Sequence, residues 1–245
     1  MSGITTQTLT YTAADGATLV SHLALPADTS RPVAAVIVAP EWWGVTDYPN
    51  RRAEELAALG YAALAIDVYG DGKTTTDASQ ANDWMTHMLQ HQDMLMQRAH
   101  AGLEQLAGLE QVDATRLAAI GYCFGGKIAL DMAREGMPLK AVATFHGELS
   151  PKQPADPETF QADVLIEHGG DDSMVSMDKL EAFRQEMDKA NIRYTVHVHD
   201  GAKHGFTNPA ADQRAKDNGV DLGYNAQAEQ ASWQNLVDFL AKKLG

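Results

Sequence analysis

The chain has 245 residues, of which 44% are hydrophobic and 21% charged, and its formal net charge is −14. These values predict an ordered enzyme-sized domain rather than a disordered chain, and the negative charge argues against nucleic acid and anionic membrane surfaces as partners. The single cysteine excludes an intrachain disulfide. The polar N-terminus and the short apolar runs predict no membrane span, so the default expectation is a cytoplasmic protein.

The predicted elements begin with a β-hairpin and continue as alternating strands and helices. The hairpin strands are Thr6–Tyr11 and Thr18–Leu25, around the turn residues Ala14-Asp15-Gly16. The later strands are expected at 33–38, 61–66, 117–120, 140–145, 163–167 and 193–198, and the helices at 50–59, 81–89, 94–106, 127–134, 177–190 and 226–244. Residues 147–162, with three prolines, are predicted to be a surface loop. This order is typical of a doubly wound sheet. We therefore expect one α/β domain over residues 1–245, with a mostly parallel sheet, an N-terminal antiparallel hairpin and helices on both faces.

A candidate nucleophile stands in the sequence Gly121-Tyr122-Cys123-Phe124-Gly125-Gly126, between a predicted strand and a predicted helix. This is the pattern of a nucleophile elbow, with cysteine where many hydrolases have serine. The N-terminus of the helix favours a thiolate and a developing oxyanion, and the backbone N–H of Phe124 is the expected oxyanion donor. The alternative is that Cys123 is a small buried side chain.

A candidate acid and base follow the nucleophile in the order that this arrangement requires. Asp171 and Asp172 follow the strand that ends near His168, and His204 follows the strand that ends near Val198. The spacing favours Asp172 over Asp171 as the partner of His204. Aspartates after glycines are also common in turns, so at least one of the two is expected to serve the turn only.

The loop after the strand 33–38 reads Pro40-Glu41-Trp42-Trp43-Gly44. By position, the N–H of Trp42 is expected to be the second oxyanion donor. Glu41 near a thiol would either keep the sulfur protonated at rest or take its proton. The alternatives are that Glu41 caps the next helix or faces water, and that Trp42 and Trp43 pack in the core.

Together these motifs resemble the dienelactone hydrolase family of α/β-hydrolases. The matching pieces are Pro40-Glu41-x-x-Gly44, Asp67-x-Tyr69, Gly121-Tyr122-Cys123-Phe124-Gly125-Gly126, Gly169-x-x-Asp172-x-x-Val175 and His204-Gly205-Phe206. The resemblance implies that Cys123 is the nucleophile, His204 the base and Asp172 its partner. It also implies that Glu41 contacts the cysteine until substrate displaces it, that the same two N–H groups form the oxyanion hole, and that hydrolysis needs no cofactor or metal.

The chain departs from the family where arginines hold the carboxylate of a dienelactone. After the histidine it reads Phe206-Thr207-Asn208-Pro209, with no arginine before Arg214, and the stretch 83–97 has none. A small neutral ester or lactone is therefore the expected substrate. The expected pocket residues are Trp42, Trp43, Trp84, Phe124 and His146.

Three functions fit these motifs. The first is hydrolysis of small carboxylic esters or lactones through a covalent thioester. The second is hydrolysis of activated phosphotriesters by the same triad, as a main or side activity. The third is a non-catalytic binding protein on this fold. The sequence is also compatible with a homodimer.

Overall fold

The structure is a computed structural model that describes residues 3–245. Its contacts group the chain into two compact units, which divide after Ala119. We call them the N-terminal unit and the C-terminal unit. The fifth strand, β5 (Val112–Tyr122), runs through the division.

Eight strands form a mostly parallel sheet in the order β1-β2-β4-β3-β5-β6-β7-β8. The strands are β1 (Thr5–Thr12), β2 (Thr18–Leu25), β3 (Val33–Ala39), β4 (Ala62–Ala65), β5 (Val112–Tyr122), β6 (Ala141–Phe145), β7 (Asp163–Gly169) and β8 (Tyr194–His199). The helices are α1 (Asp47–Ala58), α2 (Ala78–Gln90), α3 (Gln92–Ala107), α4 (Phe124–Arg134), α5 (Met177–Lys189), α6 (Ala211–Asn218) and α7 (Ala226–Leu244). The mostly parallel sheet with an N-terminal hairpin confirms the predicted fold class.

The N-terminal unit starts with the predicted hairpin. Strands β1 and β2 pair antiparallel, from Thr5 opposite Leu25 to Thr12 opposite Thr18. Strand β2 also pairs antiparallel with β4, which pairs parallel with β3. The sequence of β3 is almost entirely apolar because six of its seven residues are buried, as expected for a strand covered on both faces.

The C-terminal unit aligns the ends of three parallel strands. Phe145 of β6 lies opposite Glu167 of β7, and Gly169 of β7 lies opposite His199 of β8. The loops that follow these strands therefore leave the sheet at the same edge, where parallel sheets bind ligands. Every residue of α4 is buried.

The structure differs from the prediction at the bounds of most elements and by one additional helix. Helix α1 starts at Asp47, whereas the prediction began at residue 50. The helix can include a proline in its first turn, because the backbone N–H groups of that turn have no partner within the helix. Strand β5 starts at Val112, whereas the prediction began at residue 117. The added first half is polar and partly exposed, so it lacks the apolar run that marked the rest of the strand. Helix α6 was not predicted, since only one of its eight residues is buried and it has no apolar stripe.

The expected single domain over residues 1–245 stays a prediction. Within residues 3–245, no helix has both the length and the apolar character needed to cross a bilayer.

Candidate active site

Cys123 stands between β5 and α4 in a strained turn. Its backbone φ is 55°, a left-handed value that is uncommon for a non-glycine residue and frequent at functional sites. The N–H of Cys123 donates to the carbonyl of Phe145 over 3.1 Å. A side chain at Gly121 would lie 1.9 Å from the carbonyl oxygen of Gly125, so only glycine fits there. The local sequence therefore folds as the predicted elbow, with a free, partly buried thiol at the start of a helix.

His204 and Asp172 form a buried pair in the C-terminal unit. His204 Nδ1 lies 2.8 Å from Asp172 Oδ2, and the two residues are only 5% and 7% exposed. The other oxygen, Asp172 Oδ1, accepts the N–H groups of Met174 and Val175, each at 2.9 Å. Both oxygens of this carboxylate thus accept hydrogen bonds, and the two backbone bonds help to hold it against the imidazole.

The charges around His204 favour its protonated ring. Burial alone would lower the pKa of His204, but the negative charge of Cys123 and the hydrogen bond to Asp172 raise it to about 10. Burial would raise the pKa of Asp172, yet the hydrogen bond and charge of His204 lower it below its usual value. The contact between His204 and Asp172 therefore stabilises the charged form of each.

The loops that carry Asp172 and His204 are joined through their backbones. The N–H of Gly170 donates to the carbonyl of His199 over 2.8 Å, and the N–H of Asp171 donates to that of Ala202 over 2.9 Å. A Cβ at Gly169 would lie 2.5 Å from the oxygen of Ala202. The two loops can approach this closely only because residue 169 has no side chain.

His146 lies in the interior beside His204. It is fully buried, its φ is 42°, and its Nε2 lies 2.8 Å from Thr207 Oγ1. The rings of His146 and His204 meet edge-to-face with centroids 5.2 Å apart. The expected role of His146 in the pocket stays a prediction. Sequence reasoning did not identify Thr207, because a hydroxyl that bonds a distant ring leaves no local pattern.

Four predicted site residues belong to the N-terminal unit. Glu41 is buried, and its carbonyl accepts the N–H of Gly44 over 3.1 Å. Trp42 and Trp43 meet edge-on with ring centroids 4.9 Å apart, and the half-buried Trp84 lies 5.4 Å from the ring of Tyr69.

Tyr69 completes an aromatic cluster with these tryptophans. Its hydroxyl donates to the carbonyl of Trp42 over 2.9 Å. Trp43 is 1% exposed, which agrees with core packing. The roles of Glu41, Trp42, Trp43 and Trp84 in a reaction at Cys123 stay predictions.

A cavity of about 500 Å³ lies elsewhere in the C-terminal unit, between the loop 149–157 and α5. Leu149, Pro154 and Phe183 are among its lining residues, and none of the predicted site residues lines it. Over the described range 3–245, no three histidine, cysteine, aspartate or glutamate side chains are grouped as they would be to hold a metal ion.

Comparisons with known proteins point to one family. The family model described as "Dienelactone hydrolase family" matches residues 19–244. The chain is 28% identical over 238 residues to a "Putative carboxymethylenebutenolidase" of Yersinia pestis, covering 93% of this chain and 85% of the relative. It is also 28% identical over 236 residues to a "Probable 2-oxo-3-(5-oxofuran-2-ylidene)propanoate lactonase" of Bradyrhizobium, covering 92% and 90%.

One similar crystal structure is that of a dienelactone hydrolase-like promiscuous phosphotriesterase from metagenomic libraries. It is 33% identical, superposes with a TM-score of 0.93, and the match covers 99% of this chain and 100% of the other. These matches confirm the family resemblance predicted from the motifs.

Proposed function

This chain belongs to the dienelactone hydrolase family, and we propose that it hydrolyses small, neutral carboxylic esters or lactones through Cys123, His204 and Asp172. The family and the named relatives show that the chain is a hydrolase of ester bonds. The observation that supports this triad is the buried His204–Asp172 pair, 2.8 Å apart, whose imidazole pKa is raised by the charge of Cys123.

In the proposed reaction the Cys123 thiolate attacks the carbonyl carbon, and a C–S bond forms while the π electrons move to oxygen. The N–H groups of Phe124 and Trp42 stabilise that oxyanion. As the tetrahedral intermediate collapses, the C–O bond to the leaving alkoxide breaks and His204 gives it a proton. Water then attacks the thioester carbonyl and His204 accepts a proton from it. The C–S bond breaks, which releases the carboxylic acid and returns Cys123 to the thiolate.

Asp172 serves this cycle by holding His204 in one tautomer. Its bond to Nδ1 keeps Nε2 as the nitrogen that exchanges protons. His204 Nε2 is buried and has no hydrogen-bond partner of normal geometry among residues 3–245, which leaves it available for the thiol, the leaving group and water.

Where Cys123 rests as a thiol, Glu41 is proposed to accept its proton when substrate binds, and that proton then passes through His204 to the leaving alkoxide. The burial of Glu41 in the loop after β3 supports a specific role rather than a solvent-facing one. We expect Glu41→Gln to lower kcat at least about tenfold, within the usual range for a general base. If the carboxylate only suppresses the resting thiolate, the variant will instead react faster with iodoacetamide and keep its turnover. Unchanged alkylation and unchanged kcat would contradict both roles.

A second candidate activity is hydrolysis of activated phosphotriesters. It is favoured by the 33% identical relative described as a promiscuous phosphotriesterase. A thiolate beside oxyanion donors can attack phosphorus, and the demanding step is then the hydrolysis of the S–P bond. Multiple turnovers rather than a single stoichiometric burst would establish this activity.

The test is a hydrolysis panel of nitrophenyl esters, small lactones and phosphotriesters, run with the wild type and Cys123→Ala. We expect the wild type to turn over esters or lactones and Cys123→Ala to have no activity on them. Alkylation with iodoacetamide should inactivate the wild type, because the chain has only one cysteine. Full activity after complete alkylation would remove Cys123 from the mechanism.

A further inference from the structure

His199 is the last residue of β8, and its side chain is held by a carboxylate on the neighbouring strand. His199 Nε2 lies 2.6 Å from Oε2 of Glu167 on β7. The amide Nδ2 of Asn235 on α7 lies 3.3 Å from the same oxygen. An ionised carboxylate only accepts hydrogen bonds, so the Nε2–H of His199 is the donor to an ionised Glu167. The proposed reaction uses none of these three side chains.

Glu167 is buried deeply enough to depend on this contact. Its side chain is 0% exposed, and its Oε1 has no hydrogen-bond partner among residues 3–245. Burial raises the pKa of Glu167, and the hydrogen bond from His199 opposes that rise. A buried carboxylate needs a partner, but a buried charged pair adds little net stability. The contact is therefore better explained as fixing the His199 ring than as a source of stability.

The backbone of His199 joins the two loops that carry the proposed acid and base. Its carbonyl accepts the N–H of Gly170 over 2.8 Å and the N–H of Ala202 over 3.2 Å. Gly170 lies two residues before Asp172, and Ala202 lies two residues before His204. A shift of this one carbonyl would therefore move both loops and change the distance between the carboxylate and the imidazole.

The ring of His199 also lies beside the segment that follows His204. Its centroid is 5.2 Å from that of Phe206, with 47° between the ring planes. Phe206 is fully buried, so its ring offers a fixed surface to His199. The carbonyl and the ring of His199 thus meet the chain on both sides of His204, before it at Ala202 and after it at Phe206.

We infer that His199 is a positioning residue, whose ring, anchored by Glu167, holds its backbone carbonyl where it fixes the spacing of Asp172 and His204. This inference rests on the proposed triad. His199 makes and breaks no bond in the reaction, so its loss should lower kcat more than it changes KM. Misplacement of a catalytic group by about 1 Å can cost about a hundredfold in rate.

The first test compares two substitutions of His199. Glutamine places a side-chain N–H near the position of Nε2, whereas leucine has no donor. We expect His199→Leu to lower kcat about tenfold or more, with KM changed less than about twofold. His199→Gln should stay within about threefold of the wild-type kcat. Equal losses in the two variants, or no loss in His199→Leu, would overturn the inference.

Tyr194→Phe is the matched control for the first test. It removes an exposed side-chain hydrogen bond, to Asp188, from the same strand. This bond reaches neither of the two loops, so the variant should keep the wild-type kcat. A loss in Tyr194→Phe equal to that in His199→Leu would show that any weakened contact on β8 lowers kcat, and the specific role of His199 would be wrong.

The second test separates positioning from stability. His199→Leu leaves a buried carboxylate without its histidine and should melt at a lower temperature than the wild type. The double variant Glu167→Leu/His199→Leu buries no charge there, so its melting temperature should return towards that of the wild type. We expect its kcat to stay at least about tenfold low, because the anchor is still missing. Recovery of kcat together with stability would show that the contact only supports the fold.

The third test is a double-mutant cycle with Asp172→Asn. If His199 acts through the pair of Asp172 and His204, adding His199→Leu to Asp172→Asn should lower kcat by less than about threefold more. Independent, multiplicative losses would contradict a route through this pair.

Failure of the inference can be told apart from failure of the proposed function. If Cys123→Ala and Asp172→Asn lose activity while His199→Leu keeps it, the triad stands and the role of His199 is wrong. If Cys123→Ala hydrolyses esters as fast as the wild type, the triad itself is wrong, and the inference falls with it.

Discussion

The two aspartates that follow β7 have different surroundings although they are neighbours in the sequence. Asp172 is buried against His204 and accepts two backbone N–H groups. Asp171 is exposed, and its backbone N–H donates to Ala202. The sequence could not separate them by residue type, because both follow glycines in a turn. Only the motif spacing favoured Asp172, and the hydrogen-bond geometry agrees with that preference.

This contrast predicts different kinetic effects of the same substitution. Asp172→Asn should lower kcat by a factor on the order of 10³ to 10⁴, because an amide misorients the imidazole and stabilises the wrong tautomer. Asp171→Asn is the matched control and should change kcat less than about threefold, since its side chain faces solvent. Steady-state kinetics on one nitrophenyl ester compares them, and the reverse ranking would assign the acid to Asp171.

At the scale of elements, the loops after β7 and β8 form one supporting structure. Backbone N–H groups of the first loop donate to carbonyls at the end of β8 and in the loop after it. Gly169 allows a contact with Ala202 that a Cβ would block at 2.5 Å. Strand β7 was predictable because its apolar run marks a strand buried on both faces. That reason does not apply to β8, which has no buried residue. The contact between the loops was not predictable, because it joins residues about thirty positions apart through backbone atoms.

Two neighbouring glycines test the importance of this contact. In Gly169→Ala the new Cβ must displace the Ala202 backbone, so we expect kcat to fall at least about tenfold as Asp172 and His204 separate. In Gly170→Ala the Cβ meets the carbonyl oxygen of His199 at 3.1 Å, which requires a smaller adjustment. We expect that variant to keep kcat within about threefold. Similar kcat values for both variants, at matched thermal stability, would show that the spacing of the two loops is not critical.

At the scale of the whole molecule, charge is expected to set the preference among substrates. Three basic side chains that an anionic substrate could have used, Arg98, Lys127 and Lys203, are each paired within the protein. Arg98 binds Asp15 and two backbone carbonyls, Lys127 binds Asp131 and the carbonyl of Ser150, and Lys203 binds Asp221. The net charge of −14 adds weak, salt-dependent repulsion of anions.

We therefore predict no preference for anionic esters. The measurement compares kcat/KM for a neutral ester and its carboxylate-bearing analogue at low and moderate salt. The neutral ester should be the equal or better substrate, and its small advantage should shrink as salt screens the field. A preference for the anion of more than about tenfold, or about 1.4 kcal/mol, would require a cationic contact with substrate and would return dienelactones to the list of expected substrates.

Direct detection of the acyl-enzyme tests the central claim, a thioester on Cys123. The wild type is mixed with nitrophenyl acetate, quenched in acid within the first turnover, digested and mapped by mass spectrometry, with Cys123→Ala treated in parallel. We predict one acetyl group on the peptide that carries Cys123, formed together with the burst of nitrophenol and absent from the variant. Ester turnover with the acetyl group on another side chain, or an undiminished burst in Cys123→Ala, would contradict the account.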